Sequence, residues 1–224
     1  MADATKQFFS PKGELFWTNI RGEGKENMSG KMQYVSTLVL ENDQHPIVQE
    51  LEQFWEENKP KNFKKAPKTS GWYYYDAIKD EDGEFVLDEE GNKTFDKNGR
   101  IALQFKTGTT FPDGKNKVVG IYNAAGKPVQ GITENIVGNG SIGKIKGAMG
   151  IYVNMTPNNK TIVDAGVTLY LNAIQVSKLE KYTADAGFDA DEEHVGNDGW
   201  DENEWTGESE SNQDSDSAAS KVRI

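Results

Sequence analysis

Lysines at alternating strand positions and runs of aromatic rings are the residues of this chain whose types and spacing could do chemistry. Lys144 and Lys146 flank Ile145, and Tyr152 has the same parity six residues on. A strand through them turns all three to one face. Arg100 and Lys106 share the outward side of another alternating segment, and Trp72, Tyr73, Tyr74 and Tyr75 are four successive rings. Beside them, residues 59–68 hold five Lys and no acid, with Lys64, Lys65 and Lys68 nearest the rings. Ammonium groups neutralise phosphates, and rings stack on bases at about 1–3 kcal/mol each. The combination predicts a groove for single-stranded nucleic acid. Some rings must serve the core instead, and core is the better reading for Phe16, Trp17, Phe105 and one alternating pair of the 72–75 run.

Reactive centres are scarce by comparison. The chain has no Cys and two His, which removes disulfide frameworks, zinc–thiolate sites and cysteine nucleophiles. The stretch 138–144 (GNGSIGK) has the spacing of a phosphate-binding loop, but Ile145 replaces the magnesium-holding hydroxyl and a strand pattern follows where a helix is needed. It reads as a hairpin turn. Asp80, Asp82, Asp88, Glu90 and Asp96 are dense enough for calcium, yet no window gives the ligand order of an EF-hand with Gly at its sixth position. They read as solvated turn residues. His45 abuts a helix start, and His194 lies in the acidic C-terminal segment. No nucleophile–base pair is visible, so an enzyme is not expected, and neither is a metal or cofactor.

The balance of charge looks hostile to nucleic acid until it is located. The 224 residues carry 36 acidic and 25 basic side chains, a formal charge of −11. Residues 185–224 alone hold 13 acidic and two basic residues, so residues 1–184 are neutral. A second acidic excursion, residues 76–96, is −7, which leaves the rest of the body at +7. Sign asymmetry, not the total, is the informative quantity. The last 40 residues are rich in Asp, Glu, Ser, Gly and Asn and are predicted to be disordered. Trp200 and Trp205, set among Asp201, Glu202 and Glu204, read as anchors for a partner. No apolar run reaches membrane-spanning length, and Met1–Lys12 lacks a hydrophobic signal core.

The elements that must position these groups are mostly strands. Strands are predicted at Glu14–Ile20, Lys31–Glu41, Gly71–Ile78, Arg100–Lys106, Lys117–Tyr122, Gly143–Val153 and Gly166–Val176. One helix is predicted over 46–58: Pro46 suits its first turn, Ile47, Leu51, Phe54 and Trp55 recur at helical spacing, and Asn58–Lys59–Pro60 stops it. Residues 76–99 carry three Gly-ended turn signals and read as an inserted acidic β-hairpin. Long strands, one helix and Gly-rich turns favour a mainly β protein built on a small closed barrel.

In order, the segments GELFWTNI (13–20), GKMQYVSTLVLE (30–41), the Pro-led helix, the aromatic strand with its excursion, and the closing pair GNGSIGKIKGAMGIYV (138–153) and AGVTLYLNAIQVSKLE (165–180) resemble the bacteriophage single-stranded DNA-binding proteins of the short-tailed phage replication type. The similarity spans about residues 10–205. It implies an OB-fold of five strands closed into a barrel over residues 1–184, with an acidic tail at 185–224. It further implies ssDNA binding without sequence preference in replication, recombination and repair, commonly as a homodimer, in the cytoplasm of a bacterial host. The tail would cover the DNA groove and contact replisome proteins such as the DNA polymerase and helicase-primase. Carried over by position, the resemblance marks Lys144, Lys146 and Tyr152, with the 72–75 rings nearby. This chain departs from the pattern in ending on Ser220-Lys221-Val222-Arg223-Ile224, which shifts the tail's candidate anchors inward to Trp200 and Trp205. Two other readings of the residues stand beside this one: an interaction scaffold acting through the acidic hairpin and tail, and an OB-type binder of RNA or oligosaccharide.

Overall fold

Apolar alternation in five segments dictates the centre of the molecule. The structure, a computed structural model, describes residues 5–27, 29–158 and 161–182. Its strands are β1 (Thr5–Phe9), β2 (Gly13–Asn19), β3 (Lys25–Glu26), β4 (Met32–Leu40), β5 (Tyr73–Tyr74), β6 (Ile101–Gly108), β7 (Gly120–Tyr122), β8 (Ser141–Met155) and β9 (Ile162–Lys178), with helix α1 (Pro46–Asn58) between β4 and β5. Leu15, Leu38, Leu103, Phe105, Ile145, Met149, Leu169 and Ile174 point inward from these strands and are essentially fully buried.

The strands close on themselves. β2 pairs with β4, β4 with β6, β6 with β9, β9 with β8, and β8 back to β2. Every pairing in this ring is antiparallel except β6–β9, which is parallel. Taken in chain order the five ring strands follow the sequence 1-2-3-5-4-1. That connectivity is an OB-fold. β1 and β7 extend the sheet outside the ring, on β8 and β9 respectively.

The helix runs over the span its sequence pattern predicts. His45 caps it, with Nδ1 accepting from the Ile47 N–H at 3.2 Å, and Pro46 occupies the first turn. Its stripe of Ile47, Val48, Leu51, Phe54 and Trp55 is buried against the ring. His45, which abuts the helix start in sequence, is thus its cap. Phe63 stands edge-on to Trp55, ring centroids 5.9 Å apart, and ties the Lys-rich loop to the helix.

The remaining differences from the sequence expectation have local causes. The predicted strand Gly71–Ile78 contracts to Tyr73–Tyr74, because Gly71 sits at φ +84° and Asp76 already turns into the excursion. Lys117–Tyr122 keeps only its last three residues, which pair in parallel with β9. β1 carries almost no apolar alternation and forms by adding to the edge of β8. Gly143, inside the phosphate-loop look-alike, is needed for contact: a Cβ there would lie 2.4 Å from the Gln175 carbonyl oxygen across the β8–β9 ladder.

The acidic excursion is hairpin-built and closes on itself. Its three short extended pieces are joined by the turns Asp80–Glu84 and Asp88–Asn92. Val86 N–H donates to Ile78 O, Thr94 N–H to Val86 O, and Ile78 N–H to Thr94 O, each at 2.9–3.0 Å. The sequence repeats every eight residues to suit: Asp80, Asp88 and Asp96 are each followed three positions on by Gly. Asp80 and Asp88 carboxylates accept backbone N–H groups of their own turns. No residue from 77 to 99 is buried, so this knob adds no core. Among the described residues no helix is long and apolar enough to cross a membrane.

Candidate nucleic-acid interface

In an OB-fold, ligands lie against the outer face of the second and third ring strands, here β4 and β6. Sheet alternation puts Leu103 and Phe105 inside and leaves Gln104 and Lys106 on that outer face. β2 alongside continues it. Leu15 points in, so Phe16 points out, opposite Thr37. A bulge follows, with one extra β2 residue between the Phe16–Thr37 and Asn19–Val35 pairs. Trp17 occupies it at φ +48°, the only non-glycine in the left-handed region among the described residues. Such a conformation costs about 1–2 kcal/mol. It turns the indole outward, 54% exposed.

The bulge is held from behind. Asn139 Oδ1 accepts the Trp17 N–H at 2.8 Å, and the Gly140 N–H reaches the Leu15 carbonyl at 3.0 Å. The stretch that imitates a phosphate-binding loop thus works as a strut for Trp17. Beyond it, Asn135 Oδ1 accepts the Ile20 and Arg21 N–H groups, and the Arg21 guanidinium donates to the carbonyls of Ile20, Val119 and Ile132. Burial pushes the Arg21 pKa down.

Aromatic rings line the face in a row. Tyr75 lies 5.4 Å from Phe16 and 5.6 Å from Trp17, centroid to centroid. Tyr73 comes next, two-fifths exposed, with the Thr37 side chain beside its phenol. Burial raises the pKa of both tyrosines. From Tyr73 a groove of about 340 Å³ runs over β6 and β9, lined by Lys68, Trp72, Tyr73, Gln104, Lys106 and Tyr152 among others. Tyr152 takes a hydrogen bond from the Thr69 hydroxyl at 3.3 Å.

The residues singled out from sequence divide into six groups. Tyr73, Tyr75, Lys106, Lys68 and Tyr152 come together on this face. Lys64 and Lys65 are exposed on the loop that leads into it. Trp72 and Tyr74 are the inward pair of the four-ring run: they meet edge-to-face at 5.2 Å and pack on the core, and the Tyr74 hydroxyl donates to Asp43. Only the flank of Trp72 borders the groove. Arg100 faces outward as its strand pattern requires, but its guanidinium is committed to Asp76 at 2.7 Å and Glu14 at 3.4 Å, while stacking on Tyr75 at 5.0 Å. It orients Tyr75 and has no charge to spare. Lys144 and Lys146 do share the strand parity of Tyr152, yet β8 is so long that they stand at its other end, beside Phe9, Tyr122 and Gln175. The tail residues Trp200, Asp201, Glu202, Glu204 and Trp205 lie outside the described residues.

Phe16 and Trp17 are the reverse case, read as core and found outside. Phe16 follows from Leu15 by parity. Trp17 follows only from the bulge, which a tryptophan does not announce.

The sequence matches no family model and no curated protein. Among solved structures, the fold is similar to gp2.5, a single-stranded DNA-binding protein encoded by bacteriophage T7, at 18% identity over 83% of this chain and 98% of that one, with a TM-score of 0.48. It is also similar to the C-terminally truncated single-stranded DNA-binding protein from bacteriophage Enc34, at 13% identity, 79% and 88% coverage and a TM-score of 0.48. The Enc34 protein in complex with ssDNA gives 12%, 80% and 88%, and 0.44.

The acids that border this face are neutralised locally. Asp76 is clasped by Arg100 through its backbone N–H, Nε and Nη2, and Asp164 by Lys68 at 3.0 Å and Asn154 at 2.6 Å. The Arg100 hydrogen bonds hold the Asp76 carboxyl below the ordinary aspartate range. A lowered folded-state pKa means that the clasp stabilises fully above the unfolded-state value and is lost as pH falls through the folded one. An acid titration followed by tyrosine fluorescence is expected to show Tyr75 loosening only below the ordinary carboxylate range. Asp76→Asn should remove that transition.

Proposed function

We propose that this chain binds single-stranded DNA without sequence preference, coating strands exposed during replication, recombination and repair of a phage genome. The observation that carries the proposal is the row Trp17, Phe16, Tyr75 and Tyr73, leading into a groove bordered by Lys106, Lys68 and Tyr152 on the ligand face of an OB-fold. Rings accept any base because every base has a π face, and the lysines follow the phosphates. Neither device reads base edges, so sequence preference is weak. No chemical step is required.

Lys106, Lys64 and Lys65 supply about three phosphate contacts, Lys68 being paired with Asp164. For single strands, log K is then expected to fall against log salt with a slope near −2, at about −0.7 per contact. Competition adds the second arm: poly(dT) should displace a labelled oligonucleotide well before equal nucleotide concentrations of RNA or duplex DNA. A flat salt response, or equal competition by duplex, would contradict the reading. We further propose that the −11 carried by residues 185–224 competes with DNA for this face, and that Trp200 and Trp205 engage replication proteins when DNA displaces the segment.

A further inference from the structure

Lys144 and Lys146 were expected on the same surface as Tyr152, and their separation from it has a consequence. Six residues of strand separate Lys146 from Tyr152, about 20 Å at 3.3 Å per residue. Around the two lysines, Phe9, Tyr122, Ala173 and Gln175 enclose a concavity of about 300 Å³ with no carboxylate in its lining. Phe9 is 71% exposed on the edge strand β1, and Lys146 Nζ lies 5.7 Å from its ring centre. Neither lysine is in a salt bridge within hydrogen-bonding distance among the described residues. Rings, unpaired ammonium groups and an absence of acids are the same ingredients that make up the groove.

The two places are joined. Between them on the outer side of β8 and β9 stands Tyr170, two-fifths exposed. Its ring lies over Gly150, where a Cβ would come within 2.6 Å of Cε2. Glycine there lets the ring lie down on the sheet beside the path. At the bulge in β9, Asn172 donates to Gln7 of β1 at 3.1 Å and fixes the edge strand that presents Phe9. Tyr152, Tyr170, Phe9 with Lys146, and Lys144 with Tyr122 thus follow one another along the sheet.

We infer that a single DNA strand leaving the groove at Tyr152 continues along β8 and β9 to a second binding segment formed by Phe9, Tyr122, Lys144 and Lys146. This rests on the proposed ssDNA binding by the groove. Spanning 20 Å takes no more than about six nucleotides even at the B-form rise of 3.4 Å per nucleotide. Oligonucleotides that fill only the groove would miss the second segment, and slightly longer ones would reach it. Two further phosphate contacts steepen the salt slope by about 1.4 for the longer strands.

The test is titration of the full chain with oligo(dT) in steps of two nucleotides, at several salt concentrations. It compares the unsubstituted protein with Lys144→Gln/Lys146→Gln and with Phe9→Ser. All three substitutions are at exposed positions, and circular dichroism checks the fold. Expected is a second rise in affinity at a defined length, with the steeper slope, in the unsubstituted protein. Both variants should lose that rise while keeping the affinity for short strands. Absence of a second rise, or equal loss for short and long strands in the variants, would overturn the inference. So would sedimentation showing that the variants lose self-association in place of DNA length dependence. Failure of every protein to bind any oligonucleotide would instead sink the groove reading.

Discussion

Replacing Trp17 by glycine is expected to weaken ssDNA binding by about 1–3 kcal/mol, roughly fivefold to 150-fold, while leaving folding stability within about 1 kcal/mol. The two halves of that expectation have separate causes. The indole is 54% exposed and its backbone sits at φ +48° in a bulge. Glycine adopts that conformation without the penalty of a side chain, which recovers about 1–2 kcal/mol. Against this stands the loss of ring contacts with Phe16 and Tyr75 at 5.9 and 5.6 Å, about 0.5–1.5 kcal/mol for such pairs. The offset is close. Urea unfolding reads the stability and fluorescence anisotropy of a labelled oligonucleotide reads the binding. A large loss of stability with unchanged affinity would mean that Trp17 is a packing residue after all.

Removal of residues 185–224 is expected to tighten ssDNA binding, on the order of tenfold at about 0.05 M salt and hardly at all near 1 M, where the Debye length is about 3 Å. The segment carries the whole net charge of the chain. Tethered to the body, it competes at an effective concentration of about millimolar, so a weak attraction to the lysines suffices. DNA and segment seek the same lysines, so screening removes the competition together with the attraction. Anisotropy titrations of the full chain and of residues 1–184 across salt measure the difference. Equal or weaker binding by the shorter chain at low salt would remove the competition.

Sequence made the framework legible where the physics is local. Pro46, the Ile47–Leu51–Phe54–Trp55 spacing and Asn58–Lys59–Pro60 define α1 without help from the rest of the chain. Ile101, Leu103 and Phe105 define the inner face of β6 in the same way, and the lysine–isoleucine alternation of 144–146 correctly turns the lysines outward. What stayed hidden is decided by distant partners. β1 exists because β8 offers an edge. Which pair of the 72–75 rings faces the groove depends on where β5 meets β6, at Tyr73–Ala102. Arg100 resembles a phosphate ligand until the excursion brings Asp76 back to it across 24 residues. Lys146 and Tyr152 share parity, but parity says nothing about separation along a strand of 15 residues. Trp17 is the hardest case, since it holds a conformation that favours glycine and is kept there by Asn139, 122 residues away.

DNA is expected to lie on the aromatic row Trp17, Phe16, Tyr75 and Tyr73, beside β6. Photo-crosslinking a bromodeoxyuridine-substituted oligonucleotide to the full chain, then mapping the attached peptides by mass spectrometry, tests it most directly. Crosslinks are predicted at Trp17, Tyr73 and Tyr75, with Tyr152 next, and all should be suppressed by excess poly(dT). Crosslinks confined to the 77–98 knob or the α1 surface, with none on the 13–19 and 72–75 peptides, would contradict it.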